Sequence, residues 1–176
     1  MNDLVATFEH HAKKEAADVF IVKSTPGDVR AAVEDLARHA QSIVLGFSGF
    51  IAAAITQELC EMRGVLRNPS DEQLPVADVG VTDALAGVAS TGSVCIAMGP
   101  SLTATASLLM PLHIVILSAD RIVERPRDLF DPGCLSGEGL RRNLVFVTGP
   151  SATADMGPLV RGVHGPHRLQ ILVTSP

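Results

Sequence analysis

The chain of 176 residues has no tryptophan and no tyrosine, and its aromatic content is 3%, all of it phenylalanine. Sequence-independent nucleic-acid binding needs aromatic platforms and positive charge. This chain has few of the first and a formal net charge of −5, which argues against that class. Basic residues are missing altogether from 68 to 120, where five acids stand: Asp71, Glu72, Asp78, Asp83 and Asp120. An anion held by that stretch must be met by backbone N–H groups, with cations reaching in from the seven arginines of residues 121–176. Cysteine is sparse. Cys60, Cys95 and Cys134 are odd in number and lack C-x-x-C spacing, so neither a disulfide framework nor an internal iron–sulfur cluster is expected. No apolar run reaches the length of a membrane span, and the opening MNDLVATFEHHAKKEAADV lacks an apolar signal core, so the chain reads as cytoplasmic. Walker A, G-x-G-x-x-G and G-x-S-x-G patterns are also absent, which argues against classical nucleotide binding and serine hydrolysis.

What the chain does have is aliphatic bulk. Hydrophobic residues make up 47% and the mean hydropathy is +0.30, enough for one sizeable core of Val, Ile, Leu and Ala in a single domain spanning 1–176. Helical spacing is visible in Leu4, Phe8 and Ala12 and again in Val29, Ala32, Val33 and Leu36, the second set opened by Thr25-Pro26-Gly27-Asp28. Strand-like runs lie at 18–23, 42–47, 75–82, 87–98, 112–118, 144–148 and 169–174, with 112–118 and 144–148 the clearest buried strands. A third helix is expected over about 51–62 and a short one over 101–109. Residues 68–75 read as a polar loop, and 121–142 as part loop, part short helix. This β–α alternation predicts an α/β fold: a mainly parallel sheet with helices on both faces.

In such folds ligands sit beyond the carboxyl ends of the strands. Three Gly-rich loops are read as strand-end turns: Gly46-Phe47-Ser48-Gly49, Ser90-Thr91-Gly92-Ser93 and Gly149-Pro150-Ser151-Ala152-Thr153. Their N–H groups and hydroxyls, with a following helix N-terminus, would suit a small anionic ligand. The expected ligand-binding set is Ser90, Thr91, Gly92, Ser93, Gly149, Ser151, Thr153, His164 and Gly165. Asp155 and His164 are the candidates for proton transfer. The same loops also serve structure, since glycine supplies positive φ and Ser or Thr caps helices. His164 and His167 have a spacing found in some metal sites. They lack a helix to align both rings and lack nearby Cys or Glu, so neither a metal nor any other cofactor is expected. His113 reads as a hydrogen-bonded residue at a strand start, and Cys95 as a small buried hydrophobe.

From Val76 onward four ordered pieces, ADVGVTDALAGVASTGSV, SLLMPLHIVIL, TGPSATADM and LVRGVHGPHRLQILV, resemble the LUD-domain family, in its lactate utilisation protein C group. The resemblance implies a NagB/RpiA/CoA-transferase-like sheet and a place in a system oxidising L-lactate to pyruvate. It further implies iron–sulfur protein subunits as partners, with this chain binding an organic acid or holding those subunits together. It also shows departures: Ser90 stands where the family carries an acid, Ala152 where a basic residue is common, Thr105 and Ala106 where an Arg is common, and Gly157 near an expected Glu. Loss of those charges weighs against a reaction carried by this copy. The alternative is an enzyme of the sugar-phosphate isomerase or CoA-transferase class using Asp155 or His164. Against that, residues 73–123 contain no glutamate to serve as the nucleophile of a CoA transferase.

Overall fold

The computed structural model describes residues 3–99, 102–131, 143–153, 157 and 160–176. Helix α1 (Asp3–Lys14) buries Val5, Phe8 and Ala12 along one stripe and places Lys13 and Lys14 in its last turn, where the helix dipole favours cations. Strand β1 (Asp18–Lys23) leads to α2 (Pro26–Leu36). The Thr25 hydroxyl accepts the Asp28 N–H at 3.2 Å, and Pro26 fills a first-turn position that needs no donor. Then follow β2 (Ile43–Gly46), α3 (Ala53–Cys60), β3 (Val79–Asp83), β4 (Ala86–Val88), β5 (Ser93–Met98) and α4 (Thr103–Leu108). The rest of the described chain holds β6 (Leu112–Ser118), β7 (Ile122–Val123), β8 (Asn143–Val147), β9 (Ala152–Thr153), β10 (Val160–Arg161) and β11 (Arg168–Ser175). Among the described residues no helix is long and apolar enough to cross a membrane.

Five strands form one wholly parallel sheet in the order β1-β11-β6-β3-β2. Leu112 pairs with both Val79 and Arg168, so the amino ends of β3, β6 and β11 are level. Alternation divides their side chains between two faces. Ile114 and Ile116 pack with Val29 and Val33 of α2 and Leu59 of α3, whereas Val115 and Leu117 pack with Phe8 and Ala12 of α1. Helices therefore cover both faces, as the alternation of elements predicts. The fourth helix comes so close to β3 that a Cβ on Gly80 would collide with the backbone of Ala106.

A second sheet, β7-β4-β5-β8, lies on the α1 side. Its Val94 and Ile96 share a core with Val115, Leu117 and Phe8. This sheet departs from the sequence expectation in two ways. Residues 87–98, read as one strand-like stretch carrying a turn, form an antiparallel hairpin with Ala86 opposite Cys95. The run 144–148, read as a buried strand, forms β8, which among the described residues pairs with β5 alone and leaves Phe146 41% exposed. An apolar run at a sheet edge has the same composition as one at the centre, so burial does not follow from the run alone.

Candidate functional site

At the carboxyl end of the parallel sheet, the turn after β2 closes on an acid from β3. Asp83 is completely buried and accepts the Ser48 and Phe50 N–H groups, both at 2.6 Å. The Ser48 hydroxyl donates to the Ala97 carbonyl at 2.7 Å and lies 3.2 Å from the Thr103 hydroxyl. Arg121 stands over the Phe50 ring at 5.6 Å. This is the kind of amide-lined turn the sequence offers to an anion, and the chain's own carboxylate already occupies it.

The other two loops are found at the opposite end. Helix α1 runs back toward the start of β1, with the Ala17 N–H donating to the Ala12 carbonyl at 3.0 Å. Gly92, at φ +65°, is pressed on the backbone of Ala12, and a Cβ there would collide with it. Gly149 backs in the same way onto the Glu15 carbonyl. The Ser93 hydroxyl bonds Thr91 and Thr148, both at 2.7 Å. The amides expected to face a ligand are spent inside the chain: Ser90 on Glu124 (2.9 Å), Gly92 on Val88 (2.9 Å) and Ser151 on Pro166 (3.0 Å). Ser90–Ser93 and Gly149–Thr153 thus lie at the amino end of the parallel sheet, on the last turn of α1, and not at the carboxyl end where the strand-end reading put them. The first is a hairpin turn, and Thr153 lies in β9, paired with β10. The facing helix terminus is the carbonyl end of α1, whose dipole repels anions.

His164 and Gly165 are placed differently. With His167, Gly162 and Val163 they line an open cleft of about 500 Å3, whose other wall is Leu108, Leu109 and Pro111. Ser151 supports that loop from behind: a Cβ on Gly165 would stand 3.1 Å from the Ser151 Cβ, and the Gly162 N–H donates to the Ser151 carbonyl at 2.8 Å. The cleft lies at the amino ends of β6 and β11, since the His167 N–H bonds the Pro111 carbonyl at 2.9 Å. The nine expected binding residues thus separate. Ser90, Thr91, Gly92, Ser93 and Gly149 belong to the α1 contact, Ser151 backs the cleft, His164 and Gly165 line it, and Thr153 stands in β9. Asp155 lies outside the described residues. Among the described residues no group of three or more His, Cys, Asp or Glu side chains is placed to hold a metal ion.

The LUD domain pattern matches residues 5–174. The chain belongs to the LUD domain family. It is 34% identical over 109 residues to lactate utilization protein C of Deinococcus radiodurans, covering 60% of this chain and 50% of that protein. It is 36% identical over 109 residues to lactate utilization protein C of Halalkalibacterium halodurans, covering 59% of this chain and 47% of that one. The matches thus span about half the length of these curated relatives. In fold it is similar to the crystal structure of a DUF162 family protein from Deinococcus radiodurans, with a TM-score of 0.73 and 22% identity, over 98% of this chain and 97% of that one.

One feature of this LUD domain escapes a reading by motif. Asp83 sits in VGVTDALAG, and its signal was available: an acid inside an apolar run must be exposed or hydrogen-bonded. His113 was legible as hydrogen-bonded, and its Nε2 lies 2.9 Å from the Thr82 hydroxyl. Cys95 is buried, as its neighbours suggest, and burial pushes its thiol up to about 11, away from nucleophilic use.

Proposed function

We propose that this LUD domain serves lactate utilisation as a ligand-binding or accessory component, working beside iron–sulfur protein subunits that carry the redox chemistry. The observation behind this reading is the identity of 34% and 36% to two proteins named lactate utilization protein C. In this reading residues 1–176 act as one unit in the cytoplasm and take a small organic anion. The cleft at His164 is its seat. An apolar wall of Leu108, Leu109 and Pro111 faces two exposed imidazoles, His164 and His167, which suits a molecule with a carboxylate at one end and a short apolar end at the other.

The test is the melting temperature of the purified chain with and without L-lactate, pyruvate and inorganic phosphate. The expected result is a rise with an organic acid that His164→Ala removes while the unliganded melting point stays unchanged. A wild-type chain indifferent to all three overturns the ligand half of the proposal. Affinity purification from the native host tests the other half, and a preparation without iron–sulfur subunits overturns it.

A further inference from the structure

Strand β1 is an outer strand of the parallel sheet, with β11 on one side and, among the described residues, no strand on the other. The Ser24 N–H donates to the Ser175 carbonyl at 2.8 Å, which sets the phase of the ladder. Alternate residues of a parallel strand turn both main-chain groups toward the same neighbour, so Asp18, Phe20, Val22 and Ser24 face β11. Val19, Ile21 and Lys23 therefore point their N–H and C=O groups off the sheet, where no described residue bonds them.

Sheet edges are normally blunted by proline, by a bulge, by an inward charge or by a covering helix. Residues 19–22 have neither proline nor charge, and their register with β11 runs without a skip. Nor are they covered. Phe20 and Ile21 point to opposite faces and are 38% and 40% exposed, so neither α1 nor α2 closes over the edge. A groove of about 430 Å3 runs along it, between Glu9 of α1 and Ala32, Asp35 and Leu36 of α2. An open edge of this kind accepts another strand. The run Asp-Val-Phe-Ile-Val-Lys is apolar in the middle and oppositely charged at its ends, so it complements itself when reversed.

We propose that two copies of this chain pair their β1 strands antiparallel about a two-fold axis at Ile21, joining the two parallel sheets into one. In that register Ile21 meets the second copy's Ile21, and Val19 meets Lys23 in both directions. Each of these pairs exchanges two hydrogen bonds, so every outward group of β1 is used. Centring the axis on Phe20 would instead set Lys23 against Ala17, whose N–H is already given to Ala12. The side chains agree with the Ile21 register. Phe20 lies across from the second copy's Val22 on the α2 face. Lys23, which among the described residues has no carboxylate within ion-pair distance, arrives across from Val19 and beside Glu9 of the same groove. Glu9 holds Lys13 through Oε1 at 2.6 Å and has a second oxygen for the incoming ammonium. Asp18 comes opposite the second copy's Ser24, next to the capped N-terminus of α2, an end that favours a carboxylate. The contact is one strand wide, so a Kd on the order of 10 μM is expected.

Sedimentation equilibrium on the full chain should show the 18.5 kDa monomer at about 1 μM and twice that mass at about 0.5 mM. Hydrogen exchange locates the contact: over the same interval the Val19, Ile21 and Lys23 amides should slow by about tenfold, following the fraction left monomeric. Ile21→Lys sets two ammonium groups on the axis and should stay monomeric at about 0.5 mM with the wild-type circular dichroism spectrum. Lys23→Glu, at the exposed end of the strand, carries the test should Ile21→Lys fail to fold. It should weaken the dimer by about tenfold or more, and adding Glu9→Lys should restore it. His164→Ala should dimerise as wild type does, which keeps this contact apart from the cleft proposed for lactate utilisation. A wild-type chain still monomeric at about 0.5 mM overturns the proposal and leaves the edge to a strand of another protein. A dimer indifferent to Ile21→Lys and Lys23→Glu, or one that protects amides elsewhere than β1, overturns it as well.

Discussion

His113 is a fully buried imidazole on the central strand β6, hydrogen-bonded through Nε2 to Thr82, with Nδ1 unpartnered. Burial holds its pKa down to about 3, so the folded chain keeps it neutral throughout the ordinary range. An unfolded chain protonates the same ring near pH 6.5. Between those two values the unfolded state binds the extra proton, so stability rises with pH there and is complete only above about 6.5. At about 1.4 kcal/mol per pH unit, the loss by pH 5 is about 2 kcal/mol. Urea unfolding at pH 7 and pH 5 checks this: His113→Leu should lose about 2 kcal/mol less than wild type over that interval. A variant with the wild-type pH dependence would show that the ring is not held neutral by its surroundings.

At the scale of the elements, the turn after β2 depends on a contact from another strand. Asp83 supplies two charge-assisted acceptors to Ser48 and Phe50, and nothing in G-F-S-G-F shows that a partner will arrive from β3. An asparagine there keeps one oxygen but turns an amide donor toward the second N–H. Asp83→Asn should therefore cost about 2–3 kcal/mol, read by chemical denaturation, and should speed hydrogen exchange at Ser48 and Phe50. A variant as stable as wild type would mean the turn holds itself. The same reasoning explains what was legible in the candidate site. Glycines and small hydroxyl residues mark turns, and turns stand at Ser48-Gly49, Thr91-Gly92 and Gly149-Pro150, while Ala152 and Thr153 fall in β9. Which end of the sheet each turn occupies depends on strand direction and partner. Ser90–Ser93 needed the β4–β5 hairpin, and Gly149 needed the end of α1, before either could be placed. His164 and Gly165 line a cleft, whereas Gly149, before a proline like Gly165, packs on the end of α1, so a Gly-Pro pair marks a turn without saying what the turn faces.

For the whole molecule, the parallel sheet was legible because its strands are continuous aliphatic runs separated by helical stretches, a pattern buried parallel strands share. The strand order was not legible, nor was the split of residues 79–98 between two sheets, since both depend on pairings far apart in sequence. The two sheets nevertheless share one core: Val94 and Ile96 of the smaller sheet pack with Leu117 and Ile171 of the larger and with Phe8 of α1. Neither sheet can lose its packing alone. Thermal unfolding is expected as one transition, with near- and far-ultraviolet circular dichroism superimposing and calorimetric and van't Hoff enthalpies agreeing. Two separated transitions would show that the sheets are independent units.

The position of β11 between β1 and β6 also governs the order of assembly. β1 is made well before the strand it lies beside, which is translated after every other described element, so the growing chain carries Val19 without the Ile171 and Val173 side of its core until β11 arrives. Completion of the sheet therefore waits for β11, and a nascent chain stalled before Arg168 is a natural client for a chaperone.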